Sequence, residues 1–372
     1  MSGGDSGAPW LDPLPWLPFA AQSDDAAVQA ALSAPRPGLR EFAALLSPAA
    51  GRAQEPFAQR AQAATRRHFG RTIALYVPLY LSNFCSGGCV YCGFAADRAQ
   101  PRRRLEPAEI EAECLALKRR GLEDILLLTG ERCPQADVDY LQAGVAAAAR
   151  HFHNVTVETF AMTTEEYRAL VAAGCTGITI YQETYDPDLY AELHRWGPKR
   201  DFRFRLEAPE RALAAGMRTA GIGALLGLAD PVRDAIGLLQ HALHLQKRHW
   251  QAGLSVSFPR LCGERGHYHP PHPVGDRLLV RIICAFRLAL PEVPLVLSTR
   301  EAPAFRDAMA GVGISRMSVA SRTTVGGYHD PTRSTGGQFD VNDTRDAEAF
   351  CAALRAKGLE PVFKNWDAVY RG

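Results

Sequence analysis

The sequence predicts an α/β fold: a (βα)8 TIM-type barrel with extensions at both ends. Three observations predict it. Short apolar runs alternate with amphipathic helical segments eight times between residues 74 and 319, the pattern of a parallel sheet with helical crossovers. The chain has 372 residues, 47% of them hydrophobic, enough for one large barrel with a sizeable core. The residues just after several of the runs are cysteine, glutamate, arginine or serine. Chemistry is expected at that position, because barrel enzymes work at the C-terminal ends of their strands.

Residues 1–50 read as an N-terminal extension. Its first 40 residues are rich in Gly, Pro, Ala and Ser and are expected to be loose or draped. Residues 55–68 place Phe57, Ala61 and Ala64 at helical spacing, a helix leading into the core. Strands are expected at 74–81, 124–129, 155–160, 177–182, 220–228, 254–259, 294–299 and 314–319. Helices are expected between them at 107–120, 136–151, 163–173, 204–215, 230–250 and 275–290, with one more at 302–310 before the eighth strand. Thr163 and Glu166 form a capping box, and Gly121 and Gly174 are stop signals. Asp230 caps a helix with Pro231 at its first position. The barrel thus occupies 51–321. Residues 322–372 form a tail with one helix (346–357) packed on the barrel and a short strand (361–363).

Net charge is +2, which offers no general attraction for nucleic acid. No run reaches the ~18 apolar residues that a spanning helix needs, and the first residues lack a secretory pattern. Nine cysteines without paired spacing argue against a disulfide scaffold and for a reducing, cytoplasmic setting.

The densest chemistry lies at 83–94, directly after the first strand. Cys85, Cys89 and Cys92 are spaced C-x3-C-x2-C, so they curl round one object. Zinc wants four closed ligands, commonly from a second pair. The other cysteines, Cys114, Cys133, Cys175, Cys262, Cys284 and Cys351, are scattered singly. A [4Fe–4S] cluster held by three thiolates keeps one iron open for a second molecule. Gly87 and Gly88 allow a tight loop. This triplet, with aromatic Tyr91 before its last cysteine, resembles the radical S-adenosylmethionine (SAM) superfamily. There the open iron chelates the amino and carboxylate groups of SAM.

The resemblance implies roles at the other strand ends. Thr129-Gly130-Glu131, after the second strand, stands where the superfamily usually has Gly-Gly-Glu holding the SAM ammonium; this chain departs in having Thr first. Tyr91 would pack near the adenine. Glu158 near the third strand, and Gln182 and Glu183 closing the fourth, would complete the cofactor side, with Glu183 accepting from ribose hydroxyls. Arg205 or Arg211 would neutralise the SAM carboxylate, against the plainer reading of a solvated helix charge. Arg300, ending the seventh strand in Ser298-Thr299-Arg300-Glu301, needs an anion at a barrel mouth. An amino-acid carboxylate fits, assisted by Tyr80, Ser298 or Ser318; the plain alternative is a structural salt bridge with Glu301 or another acid. Two features are set aside. Arg102-Arg103-Arg104 reads as a solvated face, and Cys262, His267, His269 and His272 as a polar or lid-like loop rather than a second metal site.

Together the stretches 77–83, 85–94, 128–131, 181–185, 255–260, 297–301 and 326–328 resemble the tyrosine lyases (2-iminoacetate synthases) of thiamine thiazole formation, from about residue 50 onward. The resemblance implies reductive cleavage of SAM, hydrogen abstraction from the amino group of L-tyrosine, and Cα–Cβ cleavage to 2-iminoacetate and p-cresol. It also implies the thiazole synthase ThiG as acceptor and a flavodoxin-type reductant. Alternatives are a lyase for another aromatic amino acid such as tryptophan, and an iron–sulfur electron carrier or zinc-binding module. The related lyase of hydrogenase maturation has further cysteines in a C-terminal extension, where this tail has Cys351 alone.

Overall fold

A computed structural model describes residues 7–261, 268–333 and 336–364. Eight parallel strands form the barrel: β1 (Thr72–Tyr80), β2 (Asp124–Leu128), β3 (Asn154–Glu158), β4 (Gly177–Glu183), β5 (Thr219–Ala224), β6 (Gly253–Ser257), β7 (Leu295–Leu297) and β8 (Arg316–Ser318). The barrel closes through β1. Val77 to Tyr80 pair with Ile125 to Leu128 of β2, and Ala74 to Tyr76 with Arg316 to Ser318 of β8. A ninth strand, β9 (Glu360–Val362), pairs in parallel with the start of β1.

Four helices precede the barrel: α1 (Leu17–Gln22), α2 (Asp25–Ser33), α3 (Leu39–Leu45) and α4 (Gln54–Phe69). The crossover helices are α5 (Pro107–Arg119), α6 (Val138–Ala149) and α7 (Thr164–Ala172). The β4–β5 connection carries three short helices, α8 (Pro187–Leu193), α9 (Phe202–Leu206) and α10 (Ala208–Ala214). Then follow α11 (Pro231–Arg248), α12 (Asp276–Ala289), α13 (Pro303–Met309) and, in the tail, α14 (Ala347–Ala356). Local chemistry sets the boundaries. Thr163 Oγ1 accepts from Glu166 N at 3.3 Å while Glu166 Oε2 accepts from Thr163 N at 2.9 Å, so the capping box opens α7. Asp230 accepts from Val232 N at 2.8 Å to open α11.

Strand parity separates two environments. Leu75, Val77, Leu79, Ile125, Leu127, Val157, Ile180, Val256, Leu295 and Met317 belong to the continuous core between strands and helices and are almost fully buried. The intervening positions point into the barrel. Near its mouth, Tyr76, Tyr80, Leu126, Leu128, Val296 and Phe94 make a separate small cluster against Cys85 and Cys92.

The N-terminal stretch is more ordered than its composition predicts. Its alanines favour helix and give flat faces, and Val28, Ala31, Leu32 and Phe42 bury them. Phe42 meets Phe286 of α12 edge-on at 5.0 Å, and Trp10 stacks on His244 of α11 at 4.3 Å. The Gly- and Pro-rich signal marks the joints between these helices rather than a loose segment. The expected fifth strand, 220–228, ends at Ala224, and 225–228 turn over the mouth. Cys262 and His267 lie outside the described residues.

Two buried carboxylates brace loops at the mouth. Glu113 of α5 accepts from the backbone N–H groups of Gly327, Tyr328 and His329 at 2.7–3.1 Å, anchoring the tail. Asp234 of α11 accepts from Tyr185 N at 2.7 Å and Thr184 Oγ1 at 2.8 Å, just beyond β4. Burial pushes the Asp234 carboxyl up to about 7 from its ordinary 3.8, against those two donors. A raised folded-state pKa contributes stability below the unfolded value and loses it as pH climbs through the folded value. The thermal midpoint of the protein without its cofactors is therefore expected to fall between about pH 4 and about pH 7, and to fall less in Asp234→Asn. Parallel curves for the two proteins would assign the loss to other groups.

Candidate active site

The first strand delivers the chain to Asn83, whose side chain fixes the return of the cysteine loop. Asn83 Oδ1 accepts from Arg103 N at 2.7 Å, and its Nδ2 donates to Pro101 O at 2.8 Å. Arg102 is a scaffold for the loop, not a solvated charge. It donates to the carbonyls of Asn83, Phe94 and Ala95 at 2.5–2.8 Å. Loop carbonyls that find no partner in a ladder demand such a donor.

The sulfur atoms are supplied with N–H donors. Cys85 Sγ accepts from Gly87 N at 3.4 Å and Glu131 N at 3.3 Å. Cys92 Sγ accepts from Phe94 N at 3.4 Å and from Gln338 Nε2 at 3.8 Å. As bare thiols, Cys85 and Cys89 are pushed up to about 11 and about 12 by burial. The pocket therefore suits sulfurs whose charge a metal cluster neutralises. Cluster cysteines each bind a different iron, so three thiols spread along one short loop suit a [4Fe–4S] group. Gly130 lets the second-strand turn approach this loop. A Cβ there would lie 2.3 Å from Phe84 O and 2.8 Å from Cys85 Cβ.

Beside the loop lies a charged cluster from β2, β4 and the β4–β5 connection. Glu183, with φ of 72°, pairs with Lys199 at 2.5 Å and with Arg205 at 3.6 Å. Arg205 Nε donates to Tyr181 O at 2.7 Å. Burial raises the Glu131 carboxyl, while Arg205 and Lys199 act in the opposite sense. Burial and Arg205 work against the Lys199 ammonium, yet Glu183 keeps its pKa above the ordinary value. The Tyr91 hydroxyl is 2.7 Å from Nε2 of His194, whose protonation burial suppresses to about 2. The neutral ring holds Tyr91 against the loop without adding charge.

Across the mouth, β7, β8 and the tail build a second wall. Arg300 lies over the Phe339 ring at 3.7 Å, and its Nε is buried without a hydrogen-bond partner. Glu301 does not pair with it. That carboxylate takes Arg260 instead, at 2.6–3.2 Å through three contacts. Ser321 Oγ is likewise buried and unpartnered. Ser318 Oγ accepts from Thr299 N at 3.0 Å, and Ser298 Oγ from Arg300 N at 3.3 Å. Tyr80 donates to Gln338 Oε1 at 2.7 Å.

One cavity joins the two walls, lined by Tyr80, Tyr91, Cys92, Glu158, Glu183, Lys199, Ser298, Arg300, Ser318 and Phe339 among others. Glu158 sits between the walls; burial, then the neighbouring Glu183, push its carboxyl up to about 7. Eight expected residues lie outside the lining: Cys85, Cys89, Gly130, Glu131 and Arg205 stand in the cysteine loop and charged cluster beside it, and Gln182, Thr129 and Arg211 serve elsewhere. Gln182 points out of the barrel, donating to Phe202 O at 3.2 Å, because strand parity allots the cavity to Tyr181 and Glu183. Thr129 bonds Thr159 Oγ1 at 2.5 Å, a brace between strand ends. Arg211 donates to the carbonyls of Met162 and Phe204, tying two loops together. Sequence reading did not single out Lys199, His194, Gln338 or Phe339. They enter from a short turn, a helix end and the tail, where no periodicity marks them.

A closed parallel barrel whose first strand runs into a C-x3-C-x2-C loop facing a charged cavity defines a radical SAM enzyme. Residues 79–239 match the radical SAM superfamily, and residues 259–360 the biotin and thiamin synthesis associated domain. The chain belongs to the 2-iminoacetate synthase family. It is 43% identical over 342 residues to the 2-iminoacetate synthase of Salmonella typhimurium, covering 92% of this chain and 90% of that protein. Identity and coverage are the same for the Escherichia coli enzyme. Among solved structures, HydG, a maturase of the [FeFe]-hydrogenase, superposes with a TM-score of 0.90 at 28% identity, covering 97% of this chain and 82% of that one. No helix among the described residues is long and apolar enough to cross a membrane.

Proposed function

We propose that this chain is a 2-iminoacetate synthase, a radical SAM lyase that cleaves the Cα–Cβ bond of L-tyrosine to 2-iminoacetate and p-cresol for the thiazole of thiamine. The single observation that carries the substrate side is the unpartnered, buried Arg300 Nε facing the cavity that the cysteine loop also lines. When bound, a [4Fe–4S] cluster and SAM together supply a one-electron reductive cleavage that delivers a reactive carbon radical.

The chain's own residues bind, orient and exclude. Cys85, Cys89 and Cys92 would hold the cluster. Glu131, Glu183, Lys199 and Arg205 form a balanced set of two negative and two positive groups, matched to a zwitterionic amino acid with a ribose. Tyr91, locked by His194, offers an aromatic face beside the loop. Arg300 would receive the tyrosine carboxylate, with Ser321 as a further donor. Glu158, near neutrality in its pKa, is placed to meet the ammonium or amine between the two walls. Tyr76, Leu126 and Tyr181 floor the site with apolar and phenolic surface, which limits water around a reactive centre.

The readily hydrolysed product favours direct handover to a thiazole synthase of the ThiG kind, and the cluster calls for a flavodoxin-type reductant. All eight cysteines among the described residues are free, which supports a reducing compartment such as the cytoplasm. The test is an anaerobic assay of reconstituted protein with SAM, dithionite and L-tyrosine. The expected products are 5′-deoxyadenosine and p-cresol in step. 5′-Deoxyadenosine without p-cresol would overturn tyrosine as substrate, and tryptophan would be the next amino acid tried.

A further inference from the structure

The tail places on the cysteine loop a side chain that the barrel itself does not supply. Residues 336–339 lie close against that loop. A Cβ on Gly93 would stand 2.6 Å from Gln338 O, and one on Gly336 would stand 2.6 Å from Gln100 Oε1 and 2.9 Å from Asn83 Nδ2. The contact therefore needs a glycine on each side. Polar bonds hold the tail there: Gln338 N donates to Thr323 O at 3.2 Å, and Thr323 Oγ1 donates to Phe339 O at 2.8 Å.

The Gln338 amide has two neighbours. Cys92 Sγ lies 3.8 Å from its Nε2, and the Tyr80 hydroxyl lies 2.7 Å from its Oε1. Their chemistry dictates which end of the amide faces which. A cysteine that ligates iron is a thiolate and accepts only, so Nε2–H must face the sulfur. Oε1 then faces Tyr80 and accepts, and Tyr80 must donate. Burial holds the Tyr80 pKa well above its ordinary 10.0, so that proton stays in place. Tyr80 is itself fixed edge-on to Phe94, with ring centres 5.7 Å apart. The other donors to these sulfurs, Gly87 N, Glu131 N and Phe94 N, are backbone groups that come with the shape of the loop. Gln338 is set apart from them as a side-chain donor.

We propose that Gln338 is a positioning residue of the cluster site: acting through Cys92, it raises the potential at which the cluster takes one electron from the external donor, while Tyr80 holds its amide in place. The inference rests on Cys92 as a cluster ligand and is independent of which amino acid is cleaved. A reduced cluster carries one more negative charge than an oxidised one, and a donor to a ligand sulfur stabilises the more negative state. The same short segment reaches the substrate side one residue later, where Phe339 lies under the Arg300 guanidinium.

The test is an EPR-monitored redox titration of the reconstituted [4Fe–4S] protein without SAM or tyrosine, with iron and sulfide content measured beside it. Gln338→Leu and Gln338→Met keep a side chain of similar size and remove the donor to sulfur. At a fixed donor potential, the ratio of reduced to oxidised cluster in each is expected to fall at least about threefold, roughly 30 mV for one electron. A parental potential in either variant, at parental iron content, would overturn the proposal. Loss of the cluster from both would also overturn it, because Gln338 would then serve the loop's architecture alone. If one variant does not load, the other decides. Absence of p-cresol from the parent's products would overturn the tyrosine-lyase reading and leave these potentials standing. A parent whose reduced form shows no [4Fe–4S] signal would overturn the cluster reading, and the proposal with it.

Discussion

Cys89→Ala is expected to lose the broad visible absorbance of the reconstituted protein and more than about 100-fold of its 5′-deoxyadenosine formation, since even outer partners of a metal site are worth about 10–100-fold. Cys89 is the most buried of the three candidate ligands and sits on the loop that Gly130 admits against the second strand. Neither Cys114, Cys175, Cys284 nor Cys351 can substitute. Each is buried in or against helices of the outer core. Folding should survive, because alanine in place of a buried thiol keeps the backbone and loses little volume. A normal [4Fe–4S] spectrum in Cys89→Ala would remove it from the ligand set.

The second large effect is on substrate. Arg300→Ala is expected to weaken tyrosine binding by about 2–5 kcal/mol, the cost of deleting one partner of a buried, charge-assisted pair. That is roughly 30-fold or more in affinity. SAM affinity should stay within about twofold, because sites with no shared partner act nearly independently. Arg300→Lys should recover only part of the loss, since an ammonium lacks the planar fork and the stacking over Phe339. Binding of tyrosine at parental affinity in Arg300→Ala would place the carboxylate elsewhere. The alternative of an Arg300–Glu301 salt bridge is already answered by geometry, because Glu301 is occupied by Arg260.

The parts that sequence made legible share one property. Their spacing is short, or their period is regular. The cysteine triplet spans eight residues, and the strands announced themselves because their outward faces are Val, Leu and Ile against the helices. What stayed hidden came from long-range closure. Lys199 reaches Glu183 from a single turn after Gly197, and Gln338 reaches Tyr80 and Cys92 from the tail. Nothing local distinguishes such residues from surface polar groups. Gln182 was misplaced for a different reason. It lies inside a recognisable motif, but the two-residue alternation of the strand gives Tyr181 and Glu183 to the cavity and turns Gln182 outward. Arg102 was misread because a charge run is usually solvated, whereas here loop carbonyls needed its donors.

The strand that carries the cysteine loop is also the last to be completed. Its partners on β8 and β9 are residues 316–318 and 360–362, which leave a ribosome long after residues 72–80. Until they arrive, β1 has β2 as its early neighbour and an open edge on its other side. The cysteine loop hangs from that unfinished strand, and Gln338, a sulfur neighbour, is not yet made. The cysteine loop therefore gains its full set of neighbours only when the last residues of the chain have closed the barrel. Until then an unpaired strand edge stands beside three bare thiols, the kind of transient surface that promotes association between chains.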